Sequence, residues 1–133
     1  LSQRLIRKVC PYCAVADVPR PDFIKTLMRG TEPAHEKAVL ELLMRPGGKF
    51  LKAKGCPKCK NTGYNGRTGI FELLVPNDAL RNFIITKSKS DISELRSTAL
   101  QNGLKSLLMD AVAKIRMGVT TQEEVGRVVD ENF

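Results

Sequence analysis

All four cysteines of this chain fall into two matching pairs, Cys10-Pro-Tyr-Cys13 and Cys56-Pro-Lys-Cys59. A gap of two residues lets one turn offer two thiolates to one ion, and a tetrahedral Zn²⁺ takes four of them at about 2.3 Å. The second pair would close the shell from beyond an insert, residues 14–55. That separation is wider than metal-ligand spacings usually are. Four sulfurs leave no position open for water, so the site reads as structural rather than catalytic. Disulfides are the first competing chemistry. They need an oxidising compartment, and no signal-peptide pattern or long apolar stretch points to one. A redox dithiol is the second, but such a pair normally stands alone after a strand, whereas here two pairs mirror each other.

Composition sets the frame around these sulfurs. With 133 residues and 42% hydrophobic content, the chain can bury one moderate core or two small ones. It has no tryptophan, five Phe and two Tyr, which argues against a broad aromatic binding surface. The net charge is +8. Four thiolates on one Zn²⁺ would bring this to about +6, still favouring an anionic partner.

Periodicity predicts the elements that position the pairs. Leu1-Ser2-Gln3-Arg4-Leu5-Ile6-Arg7 reads as the tail of a basic helix, and the opening Leu in place of Met leads us to expect a segment of a longer protein. Pro21-Asp22 opens a helix carrying Phe23, Ile24, Leu27 and Met28, with Gly30 as its stop. Thr31-Glu32-Pro33 starts another, whose apolar side is Val39, Leu40, Leu42, Leu43 and Met44, ended by Pro46-Gly47-Gly48. His35 lies on a polar stretch of that helix and is expected in solvent, not as a fifth ligand. Lys49–Ala53 is a short strand leading to the second pair. The glycines of Asn61–Gly69 predict tight turning before a strand, Ile70–Val75, covered on both sides.

Beyond residue 77 the pattern is helical. Asn77 or Asp78 caps a helix with Leu80, Phe83 and Ile84. Ser88, Ser90 and Asp91 offer the start of the next, with Ile92, Leu95, Ala99 and Leu100 on one face and Gly103 as its stop. Leu104, Leu107, Leu108, Ala111, Val112 and Ile115 form a strong stripe closed by Gly118. Thr120 with Glu123 and Thr121 with Glu124 make two overlapping capping boxes before a last helix that buries Val125, Val128 and Val129.

Gln3-Arg4-Leu5, the two cysteine pairs, and Thr62-Gly63-Tyr64-x-Gly66-Arg67-Thr68-Gly69-Ile70-Phe71-Glu72-Leu73-Leu74 together resemble one family. Gly103-Leu104-Lys105-Ser106-Leu107 and the ending Gly118-Val119-Thr120-Thr121-Gln122-Glu123-Glu124-Val125-x-Arg127-Val128 strengthen the likeness. The chain resembles the C-terminal, tetracysteine region of the type II secretion and type IV pilus assembly ATPases. The resemblance implies a cytoplasmic hexameric motor, peripheral to the inner membrane, that uses ATP and magnesium in a core upstream of Leu1. Its partners would be that core, neighbouring subunits and inner-membrane platform proteins. Arg4 and Arg67 are candidates for contacts with nucleotide or a subunit boundary.

One departure matters. No G-x₄-G-K-[ST] loop is present; Gly47-Gly48-Lys49 lacks both the first glycine and the final hydroxyl. The fragment is therefore expected to be inactive alone, while the intact parent would hydrolyse ATP. Two other functions compete: a nucleic-acid-binding zinc ribbon and a stand-alone adaptor. Scattered basic residues and scarce stacking aromatics weigh against nucleic acid. The expected fold is α+β: a Cys₄ zinc subdomain with a helical insert, one or two short buried strands, then a helical C-terminal tail. The expected boundaries are 1–9 for the end of an upstream helix, 10–62 for the zinc subdomain and 63–133 for the strand with the helices.

Overall fold

The computed structural model describes residues 2–29, 33–72, 78, 81–82 and 106–132. The architecture is α+β. In order come β1 (Ser2–Val9), β2 (Val15–Ala16), α1 (Pro21–Thr26), α2 (Pro33–Met44), β3 (Leu51–Lys52), β4 (Tyr64–Glu72), α3 (Leu107–Arg116) and α4 (Gln122–Asn132). Apart from Asp78, Arg81 and Asn82, the helices expected between Asn77 and Gly103 lie outside the described residues, as do Gly30, Thr31, Leu73, Leu74, Val75 and Leu104.

The first residues form a strand, not the expected helix. β1 runs antiparallel to β4, with Ser2 opposite Glu72 and Arg7 opposite Arg67. Ile6 and Val9 are both buried, and that three-residue spacing imitates a helical stripe. The ladder slips between them, where Asn65 and Gly66 together face Lys8. Such a bulge adds local twist, which lets both apolar residues turn inward. Gly66 takes the left-handed conformation there, at φ +79°. Asn61–Gly63 of the glycine-rich run do turn, whereas Tyr64–Gly69 form the first part of β4. Among the described residues β4 is covered on one face only: Ile70 is fully buried, whereas Phe71 is 41% exposed.

A second, two-residue ladder pairs β2 with β3, Val15 opposite Lys52 and Ala16 opposite Leu51. Between these short strands the insert sends α1 and α2 back into the core. Ile24 and Met28 come from the first of these segments, Val39 and Leu43 from the second. They pack with Ile6, Ile70, and the α3 stripe of Leu107, Leu108, Ala111, Val112 and Ile115. Val125, Val128 and Val129 of α4 join the same cluster. The insert therefore contributes four of the fourteen buried core residues and is not an appendage.

Helix ends follow local chemistry. Ser106 is the N-cap of α3, its Oγ accepting from the Met109 N–H at 3.1 Å. At the other end Gly118, at φ +74°, donates to Ile115 O, and Val119 N–H donates to Lys114 O. That pair of bonds is a Schellman motif. The Arg116 side chain crosses to the end of α2 and donates to the carbonyls of Leu43, Arg45 and Pro46, acceptors the helix itself cannot satisfy.

His35 is corrected by its surroundings. It is only 6% exposed and shares a stripe with Val39 and Leu43, one and two turns on. Its Nε2 lies 2.7 Å from Ser106 Oγ, the oxygen that caps α3.

Candidate metal centre

Each cysteine pair sits where the long ladder hands over to the short one. Cys10 and Cys13 follow β1 and precede β2; Cys56 and Cys59 follow β3 and precede β4. The two ladders therefore bring the pairs face to face. All four Sγ atoms lie within 4.8 Å of one another. Cys10 to Cys56 and Cys13 to Cys59 are each 3.8 Å, and Cys56 to Cys59 is 3.7 Å. A regular tetrahedron with metal–sulfur bonds of about 2.3 Å has sulfur–sulfur edges of about 3.8 Å. Disulfide sulfurs would stand about 2.05 Å apart. The residues fit a closed four-thiolate shell.

Backbone donors surround the sulfurs. Gly55 N–H donates to Cys13 Sγ at 3.3 Å, and Cys59 Sγ accepts from Cys56 N–H at 3.3 Å and Gly63 N–H at 3.2 Å. Burial pushes the Cys59 thiol up, but the Cys56 and Gly63 amides outweigh it and bring the group down to about 6. Cys13 is pushed up to about 11 by burial, with only the Gly55 amide acting against it. A metal ion would replace protons in this shell, because thiolate is the ligating form.

The second pair is shaped by a tight 3₁₀ turn over Pro57–Cys59. Lys60 and Asn61 follow in the left-handed region, at φ 57° and 62°, and Asn61 N–H returns to Cys56 O at 2.8 Å. Gly63 closes the turn at φ +84°, its carbonyl accepting from Cys10 N–H at 2.8 Å, so the second turn is tied to the first by backbone. The tips touch as well: Lys58 Nζ lies 3.9 Å from the centre of the Tyr12 ring. Among the described residues the four cysteines alone form a metal-ligand group, and His35 stays outside it.

The family described as "Type II/IV secretion system protein" matches residues 1–127. The chain belongs to that family. It is 39% identical over 126 residues to the type IV pilus assembly ATPase PilB of Thermus thermophilus, covering 94% of this chain and 13% of that protein. It is 35% identical over 132 residues to the type II secretion system ATPase E of Vibrio cholerae, covering 99% of this chain and 23% of that one. The type IV pilus assembly ATPase TfpB of Acinetobacter baylyi is 34% identical over 129 residues, covering 97% of this chain and 20% of that protein. The secretion-family chain thus spans less than a quarter of the length of these relatives.

The family-like ending proves to be a fastening. Thr121 is the N-cap of α4, its Oγ1 accepting from Glu124 N–H at 3.0 Å and bonded to Tyr64 Oη at 2.8 Å. Only half of that capping box forms. The Glu124 carboxylate turns instead to β1, where it accepts from the Arg7 N–H at 2.7 Å, and from Arg7 Nε and Nη2 at 3.1 and 3.0 Å. Arg127 Nε and Nη2 reach the same carboxylate at 2.9 and 3.0 Å. These contacts hold the Glu124 carboxyl at about 2: burial opposes ionisation, and Arg127 and Arg7 overcome it. Thr120 Oγ1 donates to Arg7 O at 2.8 Å in place of capping the helix, and Glu123 pairs with Arg20. Gln122 accepts from Arg20 N–H at 2.8 Å and donates to Val18 O at 2.9 Å, so α4 also grips the start of the insert. The polar roles of Arg7, Gln122 and Glu124 go beyond the capping that their sequence positions suggest.

Arg4 and Arg67, the two basic residues singled out from the sequence, line one cleft with Arg7 and Arg127. Among the described residues no helix is long and apolar enough to cross a membrane.

Proposed function

We propose that this chain is the C-terminal, zinc-stabilised module of a secretion or pilus-assembly ATPase, supporting hexamer structure and partner docking during protein export or pilus extension. The match to the secretion family along residues 1–127 carries the reading. Cys10, Cys13, Cys56 and Cys59 are the zinc ligands in this proposal, and the ion acts by folding energy, since four thiolates leave no open position. Residues 1–9 link to the upstream core, 10–62 form the metal-held unit, and 63–133 supply the strand and helices. ATP and magnesium belong to the core of the parent, which works in the cytoplasm against inner-membrane platform proteins. The small share of the relatives' length that this chain covers supports that division of labour.

The test is Cys56→Ser in the intact motor. Zinc should fall to background, hydrogen exchange across 10–62 should rise, and hexamer formation and export should fail while isolated nucleotide binding persists. Export and assembly at wild-type level without zinc would defeat the proposal.

A further inference from the structure

Thiols packed this closely can also react with one another. Cys10 and Cys59 are buried, whereas Cys13 and Cys56 are half-buried. Each half-buried cysteine faces a buried one across the two turns: Cys56 Sγ lies 3.8 Å from Cys10 Sγ, and Cys13 Sγ lies 3.8 Å from Cys59 Sγ. Closing either gap to a bond of about 2.05 Å needs each sulfur to move by less than about 1 Å. The sulfurs are not held alike. Cys59 Sγ is fixed by the Cys56 and Gly63 amides, and Cys13 Sγ by the Gly55 amide. Among the described residues no backbone amide donates to Cys10 Sγ, so it is the freest to turn towards Cys56. That choice leaves Cys13 with Cys59. Bonds from turn to turn also keep β1 beside β4, where Cys10 N–H already meets Gly63 O and Val9 stands opposite Tyr64. Each would close a loop between residues 46 apart, which restricts the unfolded chain far more than a bond within one pair.

We propose that the cluster is a reversible redox site: a peroxide-class oxidant converts it into Cys10–Cys56 and Cys13–Cys59 disulfides, with loss of the metal and retention of the β1–β4 ladder. Release of the ion rests on the zinc reading above, whereas the pairing rests on sulfur geometry alone. Cys56, the more open of the two half-buried residues, reacts first. Its thiolate takes one oxygen of hydrogen peroxide as the O–O bond breaks and hydroxide leaves, which gives a sulfenic acid. The Cys10 thiolate then attacks the Cys56 sulfur, forming the S–S bond and expelling a second hydroxide. Two solvent protons turn both hydroxides into water; the two sulfurs lose two electrons and the peroxide gains them. Cys13 and Cys59 repeat the sequence with a second peroxide. No thiolate then remains to ligate a metal.

Peroxide treatment of the full, zinc-loaded chain tests this, read by zinc release to a colorimetric indicator, a free-thiol count and disulfide mapping by mass spectrometry. Cleavage after Tyr12 and after Lys58 separates the two cysteines of each pair, so the linkages can be told apart. One zinc should leave as four thiols disappear, and the Cys10 peptide should be joined to the Cys56 peptide and the Cys13 peptide to the Cys59 peptide. Amide exchange along β1 should stay within about tenfold of the zinc-loaded value, as expected when the ladder persists. Dithiothreitol with zinc should restore the thiols and the metal. Cys10–Cys13 and Cys56–Cys59 linkages, sulfinic or sulfonic acids that reductant does not reverse, thiols that resist excess peroxide, or β1 exchange more than about tenfold faster would each overturn the proposal. A purified chain with four thiols and no zinc would instead defeat the metal reading, and the same mapping on that chain would still decide the pairing.

Discussion

Glu124→Gln is the substitution that most directly probes how α4 is held to β1. The Glu124 side chain is fully buried, while its partners Arg7 and Arg127 are 40% and 44% exposed. Its carboxyl is lowered from 4.5 to about 2. At about 1.4 kcal/mol per unit, that difference corresponds to roughly 3 kcal/mol of stability near neutral pH, and solvent screening of the two arginines reduces it to about 2–3. Glutamine keeps the shape but cannot accept two charged forks. At pH 7, in fixed excess zinc, urea unfolding should show a loss of about 2–3 kcal/mol, or roughly 5–12 °C in melting temperature for a chain of this size. The pH dependence fixes the cause. A carboxyl whose folded value is lowered stabilises fully above its unfolded value, and that contribution fades as pH falls through the folded one. The gap between wild type and Glu124→Gln should therefore be constant above about pH 5 and close between about pH 4.5 and 2. Comparing the two proteins at each pH cancels any acid release of a bound metal, which both would share. A gap below about 0.5 kcal/mol at pH 7, or one that persists unchanged at pH 2, would refute the argument.

Gly63→Ala would place a Cβ 2.6 Å from Ala53 Cβ at a backbone with φ +84°; we expect a stability loss of about 1–3 kcal/mol, and at least tenfold faster zinc transfer to a chelator, read by a colorimetric competitor. Ser106→Ala removes both the α3 cap and the hydroxyl facing His35 Nε2; the expected cost is about 1–3 kcal/mol by chemical denaturation, and a loss under 0.3 would mean that the hydroxyl is dispensable.

What the sequence disclosed, and what it hid, follows from the range of the forces involved. The α3 stripe and its Gly118 stop were readable because each depends on residues within a turn or two. The cysteine pairs were readable because their chemistry requires that short spacing. β1 was not, since its strand character depends on pairing with β4 far along the chain, and the bulge beside Gly66 gives Ile6 and Val9 a helical spacing. His35 looked solvated beside Ala34, Glu36 and Lys37, yet its own spacing to Val39 and Leu43 was the signal of burial. The local cap at Thr121 was legible, whereas the diversion of Glu124 to Arg7 was not, because an arginine on a remote strand outcompeted the backbone amide. The Arg4–Arg67 cleft depends on ladder register, which a single strand cannot reveal.

The placement of the cysteine pairs at the inner ends of β1 and β4 has a consequence for how the chain finds its fold. Val9 and Tyr64 are neighbours across the ladder although the whole insert separates them. Closing so long a loop carries an entropic cost before any strand contact can offset it. Once an ion joins the four sulfurs, the two strands leave one rigid point side by side. In the metal-bound form we propose, the ion would serve as the turn of a hairpin whose strands were made far apart, and the ladder would zip outward from it. The insert, relieved of holding the strands together, is left to complete the core from behind.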